Sequence, residues 1–529
     1  MKRRTLFNLL SRAGGTTAVM ITLHAMGWRL TYAQTTNRPK LGAENGNGIK
    51  VIILGAGISG MTAAYELTKA GYECILLEAR NSAGGRCWTL RHNDIINEFD
   101  GQGQRSEKCP FDNDKSLYLN AGPARIPYHH KNLLAYCKEF GVPLEVIVNE
   151  NRAAYFQDDQ AFGGYPVNNR RIINDSRGYI AELLTKTIGI NGLDEDVSPE
   201  EQERLLEFVK RFGDLNSKGQ YVGSSRAGYD IPPGAGLNTG RKHEPLAFSE
   251  LLNSRFWRGK MHFAESYQQA ATMLQPVGGM DGIAKAFEQK VGRLISYNAE
   301  VTEILQRSDG VQVIYRDRKT NQYQSVDGNL AICTIPLSVL KNIKANFSSE
   351  HKAAIKVGAS SYNRTVKVGF QSQRRFWEED YNIYGGISWT EGDITQIWYP
   401  SANFHSSQGI IVGAYIWNNN ISERWERMKS NQRLSLAILE GEKIHPGYNQ
   451  EISLANGCSI AWGKVPYSEG GWITWRQDSR KTAYLVLNQP DGNVYFAGEH
   501  MSYLPGWQEG AILSALKIVN DITTRVKNS

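Results

Sequence analysis

The sequence predicts an α/β fold whose first unit is a strand–helix–strand crossover near residue 50, and three observations carry that expectation. Ile49 to Leu54 is a short aliphatic, β-branched run, the pattern of a strand buried on both faces of a parallel sheet. It passes directly into Gly55-Ala56-Gly57-Ile58-Ser59-Gly60 and then a helix-like stretch, Met61 to Ala70, closed by Gly71. A second apolar run, Tyr72 to Leu77, ends on Glu78. Near the other end Val494 to Ala497 again reads as a strand, and Gly506 opens another helix-like stretch. At 529 residues the chain exceeds one hydrophobic core, so two or three domains are expected.

The order of the first unit matters to its chemistry. Gly55 makes a tight turn, Gly57 lets the backbone approach a pyrophosphate, and Gly60 allows the helix to pack closely on the strand. The helix N-terminus then faces the phosphates. Glu78 lies 23 residues after Gly55, where an acid accepts hydrogen bonds from ribose hydroxyls. A GxGxxG alone is a weak signal, because Gly-rich turns are common. Strand, glycines, helix, strand and acid in this order predict a bound dinucleotide.

Composition excludes other classes. The chain is 41% apolar, 21% charged and 10% aromatic, as in globular enzymes. Its formal charge of +7 is small for the length and partly N-terminal, and no long block of one sign suggests a nucleic-acid partner. The six cysteines (74, 87, 109, 137, 333 and 458) show no C-x-x-C spacing and no matching His cluster, so no metal site is expected. Cys74 and Cys333 sit in strand-like runs as small hydrophobes, and no disulfide framework is indicated.

The N-terminus reads as an address. Lys2-Arg3-Arg4-Thr5-Leu6-Phe7 precedes a mildly apolar stretch, and Thr31-Tyr32-Ala33 places small residues for cleavage. The arginine pair favours twin-arginine export, to a periplasmic or secreted location, with 1–33 as signal peptide and 34–48 as linker. Glycines, threonines, His24 and Arg29 make the stretch too polar to span about 30 Å of hydrocarbon. Export of a folded protein suits an enzyme that loads its cofactor beforehand.

Gly84-Gly85-Arg86, just past the second strand, resembles the flavin amine oxidase family, whose dinucleotide unit is followed by the same triplet. The resemblance covers most of 49–525. It continues through Asn298 to Ile304, through Ile335 to Leu340, through Val494 to Glu499, and through Gly506-Trp507-Gln508-Glu509-Gly510-Ala511. It implies FAD rather than NAD, with Arg86 along the phosphates, the backbone of Val301 at the adenine, and Glu499 at the ribityl or phosphate region. Gly55, Gly57, Ile58, Ser59, Gly60, Glu78, Ala79, Arg80, Gly84 and Gly85 would hold the dinucleotide end. Gly122, Pro123, Ala124, Arg125, Trp462, Trp472, Gly498, Gly506, Trp507, Gln508 and Ala511 would surround the remainder. The implied fold is α/β, a discontinuous Rossmann-type FAD-binding domain (49–102, 276–345 and 486–529) with a mixed-sheet substrate domain (103–150, 246–275 and 346–485). A helical insertion covers 151–245, with helices expected at 175–186 and 198–212, and 311–315 with 330–334 are expected to form a hairpin.

Lys367, ten residues before Trp377, matches the lysine that family oxidases bridge through water to flavin N5. A cation there favours oxygen activation. Trp472 stands where the monoamine oxidase branch has its flavin-linking Cys, which implies non-covalent FAD. Leu119-Asn120-Ala121-Gly122-Pro123-Ala124-Arg125-Ile126-Pro127 resembles the L-amino-acid oxidase branch, in which this Arg pairs with the substrate α-carboxylate. A guanidinium fork matches a carboxylate bidentately. Tyr399 matches the tyrosine that donates to the same carboxylate. Gly506 would offer its carbonyl to the amine with Trp507 flanking it, and Phe263 and Tyr267 are candidates to face the pocket.

The implied reaction is oxidative deamination of L-amino acids by hydride transfer from Cα to flavin N5, giving 2-oxo acid, ammonia and hydrogen peroxide. Positioning matters most and the cofactor carries the hard chemistry. The alternatives are an amide-forming amino-acid 2-monooxygenase, or an amine oxidase or flavin dehydrogenase acting on amines without a carboxylate. Expected partners are the amino acid, O₂ and a second copy of the chain. His129 and His130 receive no role as a base.

Overall fold

Five strands of high β-branched and aliphatic content form a parallel sheet at the centre of the chain: β1 (Lys50–Leu54), β2 (Glu73–Glu78), β3 (Ile295–Tyr297), β4 (Leu330–Cys333) and β5 (Val494–Phe496). Their order is β3-β2-β1-β4-β5. β1 pairs with β2 (Ile52↔Ile75) and with β4 (Ile52↔Ala331), so its side chains meet protein on both faces. Val51 to Leu54 are accordingly fully buried. A parallel sheet must be covered on both faces. One cover consists of α1 (Ile58–Lys69), α2 (Asp281–Val291) and α3 (Gln508–Asn528), whose apolar faces share a core with Val51, Ile53 and Leu76. A second core on the other face joins Ile52 and Leu54 to Leu337, Ile355, Trp475 and Leu487. The computed structural model describes residues 48–99, 101, 103–189 and 197–528, with 38, 39, 42 and 46 before them. The expected signal peptide at 1–33 and most of the 34–48 linker lie outside the described residues.

The expected hairpin of 311–315 with 330–334 does not form. Gly310–Asp317 pairs instead with Ala299–Arg307 and Tyr323–Gly328 in a separate antiparallel arrangement, and 330–333 joins the parallel sheet as β4. The reason is burial. All four residues of β4 are buried, whereas Tyr323–Gly328, between the two expected strands, is largely exposed and takes the antiparallel partner's place.

A seven-stranded mixed sheet forms the second layer. Its order is Val167–Asn168, Tyr155–Gln157, Gly386–Thr390, Gln396–Tyr399, Gly409–Ile416, Val366–Ser372 and Ile452–Ala461. Side chains alternate across it. Val366, Val368, Ile397 and Tyr399 enter a core with Trp377 and Trp425, while Trp398 belongs to a different cluster with Trp389 and Phe256. Lys367, between Val366 and Val368, is aimed away from the first core.

In the insertion, Asn169–Gly189 and Pro199–Gly213 pack together through Ala181, Ile188 and Val209. Ser198 caps the second helix in a reciprocal box with Glu201, as a Ser three residues before a Glu predicts. All six cysteines are buried and free, with the Sγ atoms of Cys109 and Cys458 4.0 Å apart. Among the described residues no helix is long and apolar enough to cross a membrane, and no His, Cys, Asp and Glu cluster could hold a metal.

Candidate active site

A cavity of about 720 Å³ runs from the glycine turn after β1 to the mixed sheet. Most of the residues expected at the cofactor line it, from Gly55, Gly57, Ile58, Ser59, Glu78, Ala79 and Arg80 through Gly84, Gly85, Arg86, Gly122, Pro123 and Val301. Lys367, Trp462, Trp472, Gly498, Glu499, Gly506, Trp507, Gln508 and Ala511 complete that wall. Gly60, Ala124, Arg125 and Tyr399 are not among its lining residues.

The glycines divide by task. A Cβ on Gly60 would lie 2.0 Å from the Gly55 carbonyl oxygen, so this glycine serves helix–strand contact. A Cβ on Gly57 would meet no protein atom within 4 Å, which leaves that backbone open to a ligand. Gly57 bridges to Gly84, so the two glycine loops lie side by side. Gly57→Ala is therefore expected to fold normally but bind flavin at least about tenfold more weakly, and Gly60→Ala to lose folded protein. Titration of flavin together with thermal melts separates the two outcomes, and equal flavin affinity in Gly57→Ala would refute the assignment.

Polar groups along the cavity fit a dinucleotide. Glu78 accepts from the Ala56 amide (2.8 Å) and the Arg80 amide (2.9 Å), which aims its carboxylate at the end of the cavity beside the glycine turn. Ser59 Oγ, at the start of α1, is buried and has no protein partner, as a hydroxyl awaiting a phosphate oxygen would be. Arg86 lies 2.9 Å from Glu499 Oε1 and donates to the Gly471 carbonyl (2.7 Å). The other Glu499 oxygen accepts from the Gly506 amide (3.0 Å), which joins the turn before α3 to the phosphate region.

At the far end lies a cationic pair. Lys367 Nζ donates to the carbonyls of Asn120 (2.9 Å) and Gly122 (2.6 Å), and sits 4.6 Å from the ring centroid of Tyr415. Burial, and then the nearby Arg125, push its pKa down to about 7. Arg125 is 7% exposed, with its Cζ 4.5 Å from the Trp398 ring centroid and 5.3 Å from that of Phe263. Its Nε and Nη1 find no hydrogen-bond partner among the described residues. Burial lowers this guanidinium to about 10, so it stays cationic at neutral pH, opposed by no carboxylate among the described residues. Trp462 donates to the Ala121 carbonyl (2.9 Å), and the Trp472 ring packs where a Cβ on Gly506 would lie 3.2 Å away. Trp507 meets His130 edge-on at 5.0 Å, and Tyr267 stacks on His129 at 4.0 Å with most of its ring exposed.

Tyr399 is corrected by the structure. Its hydroxyl is bound on the other side of the mixed sheet, to Ser388 Oγ (2.7 Å) and His445 Nε2 (2.6 Å). Strand alternation sends Trp398 toward Arg125 and Tyr399 away from it. The tyrosine beside both cations is Tyr415, opposite Lys367 in the strand register. Motif spacing does not mark Tyr415. The alternation of its own strand, set against that of Lys367, is the signal that would find it. Tyr399→Phe is expected to change KM for amino acids less than about threefold while costing about 1–2 kcal/mol of stability, which denaturant unfolding measures.

Residues 58–523 match the family of flavin containing amine oxidoreductases. A putative L-amino-acid oxidase of Bacillus subtilis is 27% identical, over 89% of this chain and 94% of its own. A flavin-dependent L-tryptophan oxidase of Lentzea aerocolonigenes is also 27% identical, over 89% and 98%. An L-amino-acid oxidase of Pseudechis australis is 26% identical, over 92% and 88%. Putrescine oxidase bound to putrescine superposes with a TM-score of 0.59 at 16% identity, covering 90% of this chain and 99% of that one. Cyclohexylamine oxidase of Brevibacterium oxydans gives 0.58 at the same identity and coverage. The likeness to the two solved structures is one of fold. Taken with the glycine cradle, the match over nearly the whole chain places this protein in the flavin-containing amine oxidoreductase family, as an oxidoreductase with L-amino-acid oxidases among its relatives.

Proposed function

We propose that the chain is an L-amino-acid oxidase that holds FAD non-covalently and releases 2-oxo acid, ammonia and hydrogen peroxide. The observation that carries this reading is Arg125, a buried guanidinium with two unpartnered nitrogens flanked by Trp398 and Phe263. A buried cation without a counter-ion is costly. A substrate carboxylate supplies that counter-ion and two charge-assisted hydrogen bonds, whereas a simple amine would leave the charge unmet. FAD, when bound, would be held by the glycine loops with Ser59, Glu78, Arg86 and Glu499, and would supply the two-electron oxidation of the amino acid with O₂ as final acceptor.

The residues do the rest. Arg125 fixes the carboxylate, which orients Cα, and Trp398 and Phe263 keep water from the ion pair. Tyr415 lines the cavity beside Arg125 and Lys367 and offers a hydroxyl to the same carboxylate. Lys367, held on the Asn120 and Gly122 carbonyls, would in its protonated form place a positive charge in the cavity that favours reduction of O₂. The imino acid then takes up water and loses ammonia. The net reaction joins amino acid, O₂ and H₂O to give 2-oxo acid, NH₄⁺ and H₂O₂.

A peroxide-coupled screen of L- and D-amino acids and simple amines tests the reading. Turnover of L-amino acids with equimolar 2-oxo acid supports it, and turnover confined to amines, or amide with CO₂ as product, overturns it. With Trp472 at the position of the linking cysteine, acid precipitation should leave all flavin in the supernatant. We further propose twin-arginine export of a homodimer. Replacing Arg3 and Arg4 with Lys should retain the protein in the cytoplasm, and unchanged export would refute that route.

A further inference from the structure

Between Trp462 and Trp472 the chain passes along the cavity as a tight segment, Pro466–Gly470, beside Arg80 and Arg318. Two residues there hold conformations that L side chains rarely adopt, Tyr467 at φ 63° and Glu469 at φ 46°. Both line the cavity. Backbone strain of this kind persists only where the surroundings over-determine it, and here they do. Arg80 donates to the Pro466 carbonyl (2.8 Å) and to Ser468 Oγ (2.6 Å). Ser338 Oγ donates to the Ser468 carbonyl (3.1 Å), and Arg86 to the carbonyl of Gly471. The Arg318 guanidinium lies 5.2 Å from the Tyr467 ring centroid and donates to the Ala79 carbonyl. Arg80 and Arg86, which belong to the dinucleotide loops, thus also tie this segment down.

We propose that 465–471 is a strap that retains the cofactor: Tyr467 forms an aromatic wall against the adenine half, and the segment must lift for the dinucleotide to enter or leave. The inference rests on the reading that the cavity holds FAD. It assigns Arg80 a task that the motif does not show. Its third guanidinium bond goes to the Gly85 carbonyl (2.9 Å), so all three of its side-chain hydrogen bonds end on protein groups. Arg80 therefore acts on the cofactor by positioning the strap. Tyr467 and Arg318 both line the cavity, and the Tyr467 ring is an aromatic surface of the kind on which bases stack.

The test is the release rate of FAD from purified holoprotein, read as the rise in flavin fluorescence in the presence of a scavenging apoflavoprotein. Ser338 does not line the cavity, so Ser338→Ala perturbs only the strap. It should speed release about fivefold, as loss of one hydrogen bond to the strap implies. Ser468→Ala should do the same, and Tyr467→Ala should exceed both, with Tyr467→Phe near wild type. Hydrogen exchange at 465–471 should rise when the holoprotein is stripped of FAD. Wild-type release in both serine variants, or equal exchange with and without FAD, overturns the proposal. No amino acid is present in either measurement, so a failure of the oxidation reading leaves this result standing and separately legible.

Discussion

Replacing Arg125 with alanine is expected to lower kcat/KM for L-amino acids by about 10²- to 10³-fold, because losing one partner of a buried charge pair costs about 2–5 kcal/mol. Amines without a carboxylate should not share the loss. The same substitution should not destabilise the ligand-free protein, and Arg125→Leu should melt at or above the wild-type temperature. The guanidinium is buried with two nitrogens unpaired, so removing it relieves a desolvation cost while an apolar side chain fills the space beside Trp398 and Phe263. A carboxylate ligand should then raise the melting temperature of wild type but not of the variant. An unchanged KM, or an equal loss for amines and amino acids, would refute the role given to Arg125.

Lys367→Met is expected to slow reoxidation of reduced enzyme by O₂ about 10²-fold or more, with a much smaller effect on reduction by substrate. Stopped-flow measurement of the two half-reactions distinguishes this from general damage. The substitution also carries a pH signature. In the ligand-free fold the Lys367 pKa is lowered to about 7 from an ordinary 10.5, so the unfolded chain binds more protons between those values. Stability therefore rises with pH across that window, and the penalty for burying the ammonium is fully present at and below pH 7. The variant's stability relative to wild type should be greatest near pH 7 and decline toward pH 10. A pH-independent difference in denaturant unfolding would show that Lys367 is not desolvated in this way.

The dinucleotide unit was readable because its signals are local. Strand, turn and helix follow one another within 30 residues, and Gly55, Gly57 and Gly60 each answer a backbone demand that other residues meet poorly. Lys367 and Arg125 were reached through resemblance, and the fold brings them close enough for Arg125 to lower the proton affinity of Lys367, with Tyr415 beside both. Tyr399 was misplaced for a physical reason. In a strand, adjacent residues face opposite ways, so a pattern that fixes Trp398-Tyr399 to within one position cannot say which ring enters the site. The hairpin expected from 311–315 and 330–334 failed similarly, since pairing partners depend on what else competes for each strand's edge.

From sequence alone follow the cofactor-binding turn, the acid Glu78 at its end and the absence of a metal motif. These are matters of local backbone freedom and residue chemistry. Tertiary structure alone decided that Arg125 stays unpaired between two aromatic rings, that Tyr415 rather than Tyr399 accompanies it, and that Arg80 ties down 466–468. Each depends on groups hundreds of residues apart meeting in a dry interior, where burial sets the cost of every charge and strand alternation sets which side chain meets it.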